Sequence, residues 1–184
     1  LASHGIAGHG GRIYQEQLAV PLVIHASDDS LAPRVVEEPV SHVDFFATLA
    51  ATLGQQVRGA PALYEGRSLW PLLTGAGAEW PARTLFAQRR PAENDADPDR
   101  AAVYALGDGR HKYILHEPGA DEFYDLALDP LEQANLGEDA AAGAALKREL
   151  EQRLRVYAAL AGSAADGEVP EEWLEELRGL GYVR

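Results

Sequence analysis

The period of the apolar positions changes several times along the chain, and each change predicts a different element. Val20 to Ile24 is a short continuous apolar run, with Pro21 near its start where a lost backbone donor is tolerable. Such a run without alternation predicts a strand over Val20–Ala26, covered on both faces and belonging to a mainly parallel sheet. Phe46, Leu49, Ala50 and Leu53 then recur at i, i+3, i+4 and i+7, the spacing of one helical face, and Gly54 closes the helix. Leu69, Leu72 and Leu73 predict a single docked helical turn. Four short runs follow, Thr84–Arg89, Ala102–Leu106, His111–His116 and Glu122–Leu126, and read as strands. Asp108-Gly109 between the second and third marks a tight turn. Leu146, Leu150, Leu154 and Tyr157 form the apolar face of a long helix, supported by Glu149 with Arg153 and Glu151 with Arg155. Pro170 opens a shorter helix with Trp173, Leu174 and Leu177, ended by Gly179.

The stretches between these elements are equally legible. Gln55–Gly66 is a loop rich in glycine, alanine and proline. Gly75–Pro81 reads as a linker, and Pro91–Asp99 as an exposed loop. Ser41-His42-Val43-Asp44 has the residue types of a catalytic triad, but neighbours on one helical turn point in different directions and cannot form a hydrogen-bonded row. A helix start explains it better: Ser41 as cap, with Asp44 three residues on completing a capping box. Arg110, His111 and Lys112 make a basic cluster, read as a solvated hairpin edge.

With 46% apolar residues among 184, the chain can bury a sizeable core. Sixteen basic against 29 acidic residues leave a net charge of −13, which disfavours nucleic acid or an anionic membrane as partner. The absence of cysteine excludes disulfides and thiolate metal sites. The chain also lacks methionine and opens in mid-loop, as a cleaved or truncated product would.

That opening loop carries the candidate chemistry. His4-Gly5 and His9-Gly10 stand among glycines at 5, 8, 10 and 11, where the backbone can approach a ligand closely. Ile13-Tyr14-Gln15-Glu16 and Val20-Pro21-Leu22-Val23-Ile24 follow. Together with Gly66-Arg67-Ser68-Leu69-Trp70-Pro71-Leu72-Leu73, Val40-Ser41-His42-Val43-Asp44 and Glu122 through Leu136, with Asp129, Pro130, Glu132, Asn135 and Leu136 in register, this series resembles the sulfatases of the alkaline phosphatase-like superfamily. Leu180-Gly181-Tyr182-Val183 is similar to the ending of many of them. Ser3 departs from the glutamate usual there.

The resemblance implies an α/β fold: the end of an alkaline phosphatase-like α/β domain over residues 1–76, then a small α+β subdomain over 77–184, its short antiparallel sheet packed by a C-terminal helix. It implies a sulfuric ester hydrolase in which a hydrated formylglycine beside calcium attacks sulfur, with both groups expected upstream of Leu1 and neither bound by this segment alone. His9 would then be the catalytic donor to a sulfate or leaving oxygen, with His4 and Arg12 at the substrate rim beside it and no metal ligand in the chain. Its partners would be a sulfate-ester small molecule or glycan and the remainder of the same polypeptide. A phosphate or phosphonate ester hydrolase of the same superfamily, and a non-catalytic acidic binding module, are the alternatives.

Overall fold

The computed structural model describes residue 4 and residues 12–28, 30–55, 65–75, 80–89, 102–137 and 141–165, the last seven of these by backbone alone. Its elements in order are α1 (Gln15–Leu18), α2 (Asp44–Thr52), α3 (Trp70–Thr74), β1 (Leu85–Arg89), β2 (Ala102–Gly107), β3 (His111–Glu117), β4 (Glu122–Asp125) and α4 (Ala141–Ala165). The chain divides into two compact units, Leu1–Leu150 and Glu151–Arg184. His9, the Pro91–Asp99 loop, the helix opened by Pro170 and the Leu180–Val183 ending lie outside the described residues.

The four strands form one antiparallel sheet in sequence order, as a meander. Ala105 faces Ala87 on one side and Ile114 on the other, and Ile114 in turn faces Glu122. The β2–β3 turn is built from the predicted Asp-Gly pair. Gly109 takes φ 93°, and the Asp108 carboxylate accepts the amides of Arg110 at 2.9 Å and His111 at 2.6 Å.

Alternation along the strands gives the sheet two buried faces. One carries Val103, Ala105, Ile114 and Tyr124. These residues share a core with Ile13 and Tyr14 from the start of the chain, and Leu18, Ala87 and Leu126 pack against it. The other carries Leu106, Tyr113 and Phe123, and the first half of α4 lies over it. Leu146 and Leu150 are buried there, and the position of Gly143 leaves room for the Phe123 ring. Thr84 also donates to Glu149 of α4 at 2.5 Å. In the second unit, Arg155 and Glu151 stand 3.8 Å apart, the predicted i, i+4 pair.

β4 would be an exposed edge, and the Asp129–Leu136 motif covers it. The Phe123 amide donates to Asn135 Oδ1 at 3.0 Å, and the Leu136 amide donates to the Phe123 carbonyl at 2.9 Å.

Three expectations need correction. Val20–Ala26 forms no strand and pairs with none among the described residues, and Val20, Leu22, Val23 and Ile24 are exposed. An apolar run sets a tendency, whereas a strand needs a neighbour for its backbone donors and acceptors. α2 buries the opposite side from the one its apolar spacing indicates: Asp44, Ala47 and Thr48 are inside, while Phe46 and Leu49 are about three-fifths exposed, at 61% and 62%. Its N-cap is Val43, and only half the capping box forms, the Asp44 carboxylate accepting the Ser41 amide at 2.8 Å.

Asp44 is inside because it is paired. Arg83 grips it with both terminal nitrogens, and the Arg67 amide donates to it at 2.8 Å. These donors outweigh burial, which favours the neutral acid, and hold the Asp44 carboxyl below its ordinary range. Thr48 extends the link by accepting from the Leu69 amide at 2.8 Å. Leu69 and Leu72 are then buried as α3's spacing predicts, and Gly75 ends the turn at φ 72°.

Candidate functional site

The candidate site is assembled where the start of the chain meets the sheet. α1 is a single turn, and its approach places Tyr14 on the sheet core with its hydroxyl on the Glu122 carboxylate, 3.0 and 3.1 Å from the two oxygens. His116 Nε2 contacts Glu122 Oε1 at 2.6 Å, and Tyr124 donates its hydroxyl to Glu122 Oε2. Burial favours the neutral acid, but three donors converging on the carboxylate prevail and hold Glu122 down to about 2. Tyr14 shifts the other way, pushed up to about 12 by burial and then by the Glu122 charge. Burial, followed by the same carboxylate, also raises Tyr124. The cluster is therefore one half-buried anion whose two tyrosine partners stay protonated as donors.

His4 sits flat on Tyr14, with ring centroids 3.6 Å apart and planes 5° from parallel. Both its nitrogens are engaged: Nδ1 with Glu16 Oε1 at 3.3 Å, and Nε2 with the Glu132 carbonyl at 2.8 Å. An imidazole held on three sides fixes the entry to the glycine-rich loop. Arg12, at the loop's exit, has an exposed side chain, while its amide donates to Gln17 Oε1 at 3.3 Å. His4 and Arg12 thus stand at the two ends of the loop bearing His9, which itself lies outside the described residues.

The structure also corrects the reading of the basic cluster. Lys112 is no solvated edge but is buried at 2% exposure, paired with Glu132 Oε1 at 2.7 Å and donating to the Ile13 carbonyl at 2.6 Å. Burial pushes its ammonium below the ordinary lysine range, against the pull of the Glu132 charge. Arg110 does reach out, bonding Asp125 at 2.9 Å with most of its side chain in solvent. His111 stacks on Phe123, 5.7 Å between centroids.

Glu132, Lys112, Tyr14 and Glu122 were absent from the candidate set drawn from sequence. The available signal was the Asp129-Pro130-Leu131-Glu132 string, whose register was legible but whose partners, Gln15 at 117 and His4 at 128 positions from Glu132, were not. Among the described residues, no group of three or more histidine, cysteine, aspartate or glutamate side chains could hold a metal ion. No described helix is long and apolar enough to cross a membrane.

Comparison with known proteins places this arrangement. Among curated proteins, the choline-sulfatase of Rhizobium meliloti (strain 1021) is 28% identical over 126 residues, covering 68% of this chain and 23% of its own length. The multifunctional alkaline phosphatase superfamily protein PehA of Trinickia caryophylli is 28% identical over 163 residues, covering 83% of this chain and 31% of its own. Among solved structures, the phosphonate monoester hydrolase SpPMH from Silicibacter pomeroyi matches with a TM-score of 0.60 and 28% identity, over 80% of this chain and 30% of that one. The chain thus spans less than a third of the length of these relatives. The small antiparallel sheet with its C-terminal helix is common ground with that solved hydrolase. The family described as N-sulphoglucosamine sulphohydrolase, C-terminal, matches residues 10–159, and this chain belongs to it, as a C-terminal domain of the sulfatase lineage.

Proposed function

We propose that this chain is the C-terminal portion of a sulfuric ester hydrolase and contributes the substrate-side rim of its active site. In this reading residues 1–76 close the catalytic α/β domain, residues 77–184 form the subdomain, and the remainder of the same polypeptide supplies nucleophile and calcium. The substrate is a sulfate ester of a small molecule or glycan; choline-sulfatase and the N-sulphoglucosamine family name are the nearest guides to its class.

One observation carries the reading. The glycine-rich loop leaves the sheet at His4 and returns at Tyr14, and the two rings stack at 3.6 Å. The two ends of the stretch that carries His9 are thus held together at a fixed base. Donors fixed in advance are what charge on sulfate oxygens gains from most. His9, as imidazolium, would donate to a sulfate or leaving oxygen, with Arg12 as a neighbouring cation and His4 as the anchor behind both.

Kinetics on an aryl sulfate, in the hydrolase that carries this chain, test it. His9→Ala removes one donor and should lower turnover by on the order of a hundredfold. His9→Lys should restore part of it, while His42→Ala, on the exposed first turn before α2, should be silent. Near-normal turnover in His9→Ala would sink the assignment. This chain alone should hydrolyse no sulfate ester. The likeness to the Silicibacter enzyme supports a second reading, phosphonate monoester hydrolysis by the same rim. Rates on a phenylphosphonate monoester and on an aryl sulfate, measured side by side, separate the two.

A further inference from the structure

Glu132 is a buried carboxylate that the rim reading leaves without a task. It is 2% exposed and adopts φ 55°, a left-handed conformation uncommon outside glycine. Residues in such conformations persist where the surroundings over-determine them. Its contacts reach both ends of the glycine-rich loop. The Glu132 carbonyl accepts from His4 Nε2 at 2.8 Å, before the loop, and its Oε2 accepts from the Gln15 amide at 2.5 Å, after it. Its Oε1 pairs with Lys112 at 2.7 Å, and Lys112 donates in turn to the Ile13 carbonyl at 2.6 Å. Two buried opposite charges, one from a strand and one from the motif that covers β4, thus bond residues 13 and 15, and the Glu132 carbonyl adds residue 4.

We propose that Glu132, with Lys112, is a positioning residue that holds the two ends of the glycine-rich loop against the sheet. Its weight in turnover rests on the rim reading above; the hold itself does not. A pair serving only as core filling would be replaceable by apolar side chains of similar volume, since buried ion pairs are often neutral or costly beside such replacements. A positioning pair would not, because no apolar side chain can accept from the Gln15 amide or donate to the Ile13 carbonyl.

The double variant Lys112→Met/Glu132→Leu separates the two roles, and hydrogen exchange of the intact chain reads the hold directly. Its thermal midpoint should stay near that of the unaltered chain, while amides in residues 13–18 exchange at least about tenfold faster and those of Leu106 and Tyr113 keep their rates. In the hydrolase, kcat on 4-nitrophenyl sulfate should fall at least about tenfold as the rim loses its placement. Unchanged exchange at 13–18, or a rise shared equally with Leu106 and Tyr113, overturns the hold. Faster exchange with kcat unchanged leaves the hold standing and removes the rim reading instead. If the double variant fails to fold, Glu132→Gln, compared below its own midpoint, must show the same confinement of fast exchange to 13–18, and its absence there overturns the proposal.

Discussion

Phe123 and Phe46 are the same side chain in two regions of one compact unit. Phe123 is 2% exposed on β4, between the sheet and Gly143 of α4, whereas Phe46 on α2 is 61% exposed. The contrast extends to their neighbours. The sheet buries its apolar residues on two faces, and its polar groups serve as ties at the rim of that core. Around α2 the order reverses: a salt-bridged aspartate and a threonine are inside, and Phe46, Leu49 and Leu53 are out. α2 is held in place by Asp44 with Arg83 and Arg67, and by Thr48 with Leu69. Amphipathic spacing thus predicts that a helix forms, but which side it buries depends on what stands opposite.

The sharpest way to break this comparison is to truncate both phenylalanines. Phe123→Ala should cost about 4 kcal/mol of unfolding free energy, since it opens a cavity in a two-sided core. Phe46→Ala should cost less than about 0.5 kcal/mol in this chain. Denaturant midpoints for the two variants decide it, and equal losses would mean that α2 has a packed partner face. Next in size is Arg83→Met, which leaves the Asp44 carboxylate buried without its guanidinium and should cost about 3 kcal/mol. Adding Asp44→Asn should recover part of that loss, which a packing defect at Arg83 would not allow.

These two regions also divide what could be read from sequence. The four strands were legible because short apolar runs and the Asp108-Gly109 turn are local, and α3 because Leu69 and Leu72 lie within one turn. Val20–Ala26 was legible as an apolar run, but its pairing is not a local property. Lys112 shows the limit at the site. Its place beside Arg110 and His111 suggested a solvated cluster, yet strand period puts it on the same face as Ile114, and its counter-charge lies on a loop beyond β4. His4 was legible as a residue of the glycine-rich loop. That its ring would stack on Tyr14 and bond the Glu132 carbonyl depends on a tertiary contact with no sequence period.

Acid and base probe the junction itself. Glu122 is held down to about 2, from an ordinary 4.5, by donors on the folded side. A depressed carboxyl contributes stability that is present above its unfolded value and lost as pH falls through its folded one. Stability should therefore decline between about pH 5 and pH 2, with Glu122 accounting for about 3 kcal/mol of the loss. Tyr14, raised to about 12, has the opposite sign: its contribution is complete below pH 10 and is lost between pH 10 and 12. Denaturant titrations across pH should show Glu122→Gln flattening the acid limb, and Tyr14→Phe weakening the alkaline one. An acid limb unchanged in Glu122→Gln would mean that other carboxylates, such as Asp44, carry it.

The smallest expected effect tests how closely the sheet and α4 are packed. Gly143 lies inside a helix, where replacing glycine with alanine ordinarily stabilises by about 1 kcal/mol through backbone entropy. Here a Cβ would meet three atoms of the Phe123 ring at 3.1, 3.3 and 3.3 Å, and the ring, buried on both sides, has little room to withdraw. Forcing a methyl into such a contact costs typically about 1–3 kcal/mol. The two terms oppose each other, and with the ring confined the contact should win, so Gly143→Ala should destabilise by about 1 kcal/mol. Ala145→Gly, on the exposed side of the same turn, isolates the propensity term and should destabilise by about 1 kcal/mol without touching the sheet. The decisive combination is Gly143→Ala with Phe123→Leu, because a smaller side chain at 123 removes the clash. Alanine at 143 should then turn from harmful to favourable relative to the Phe123→Leu parent. If it stabilised the chain with Phe123 intact, the helix would be standing further off the sheet than a close-packed face permits.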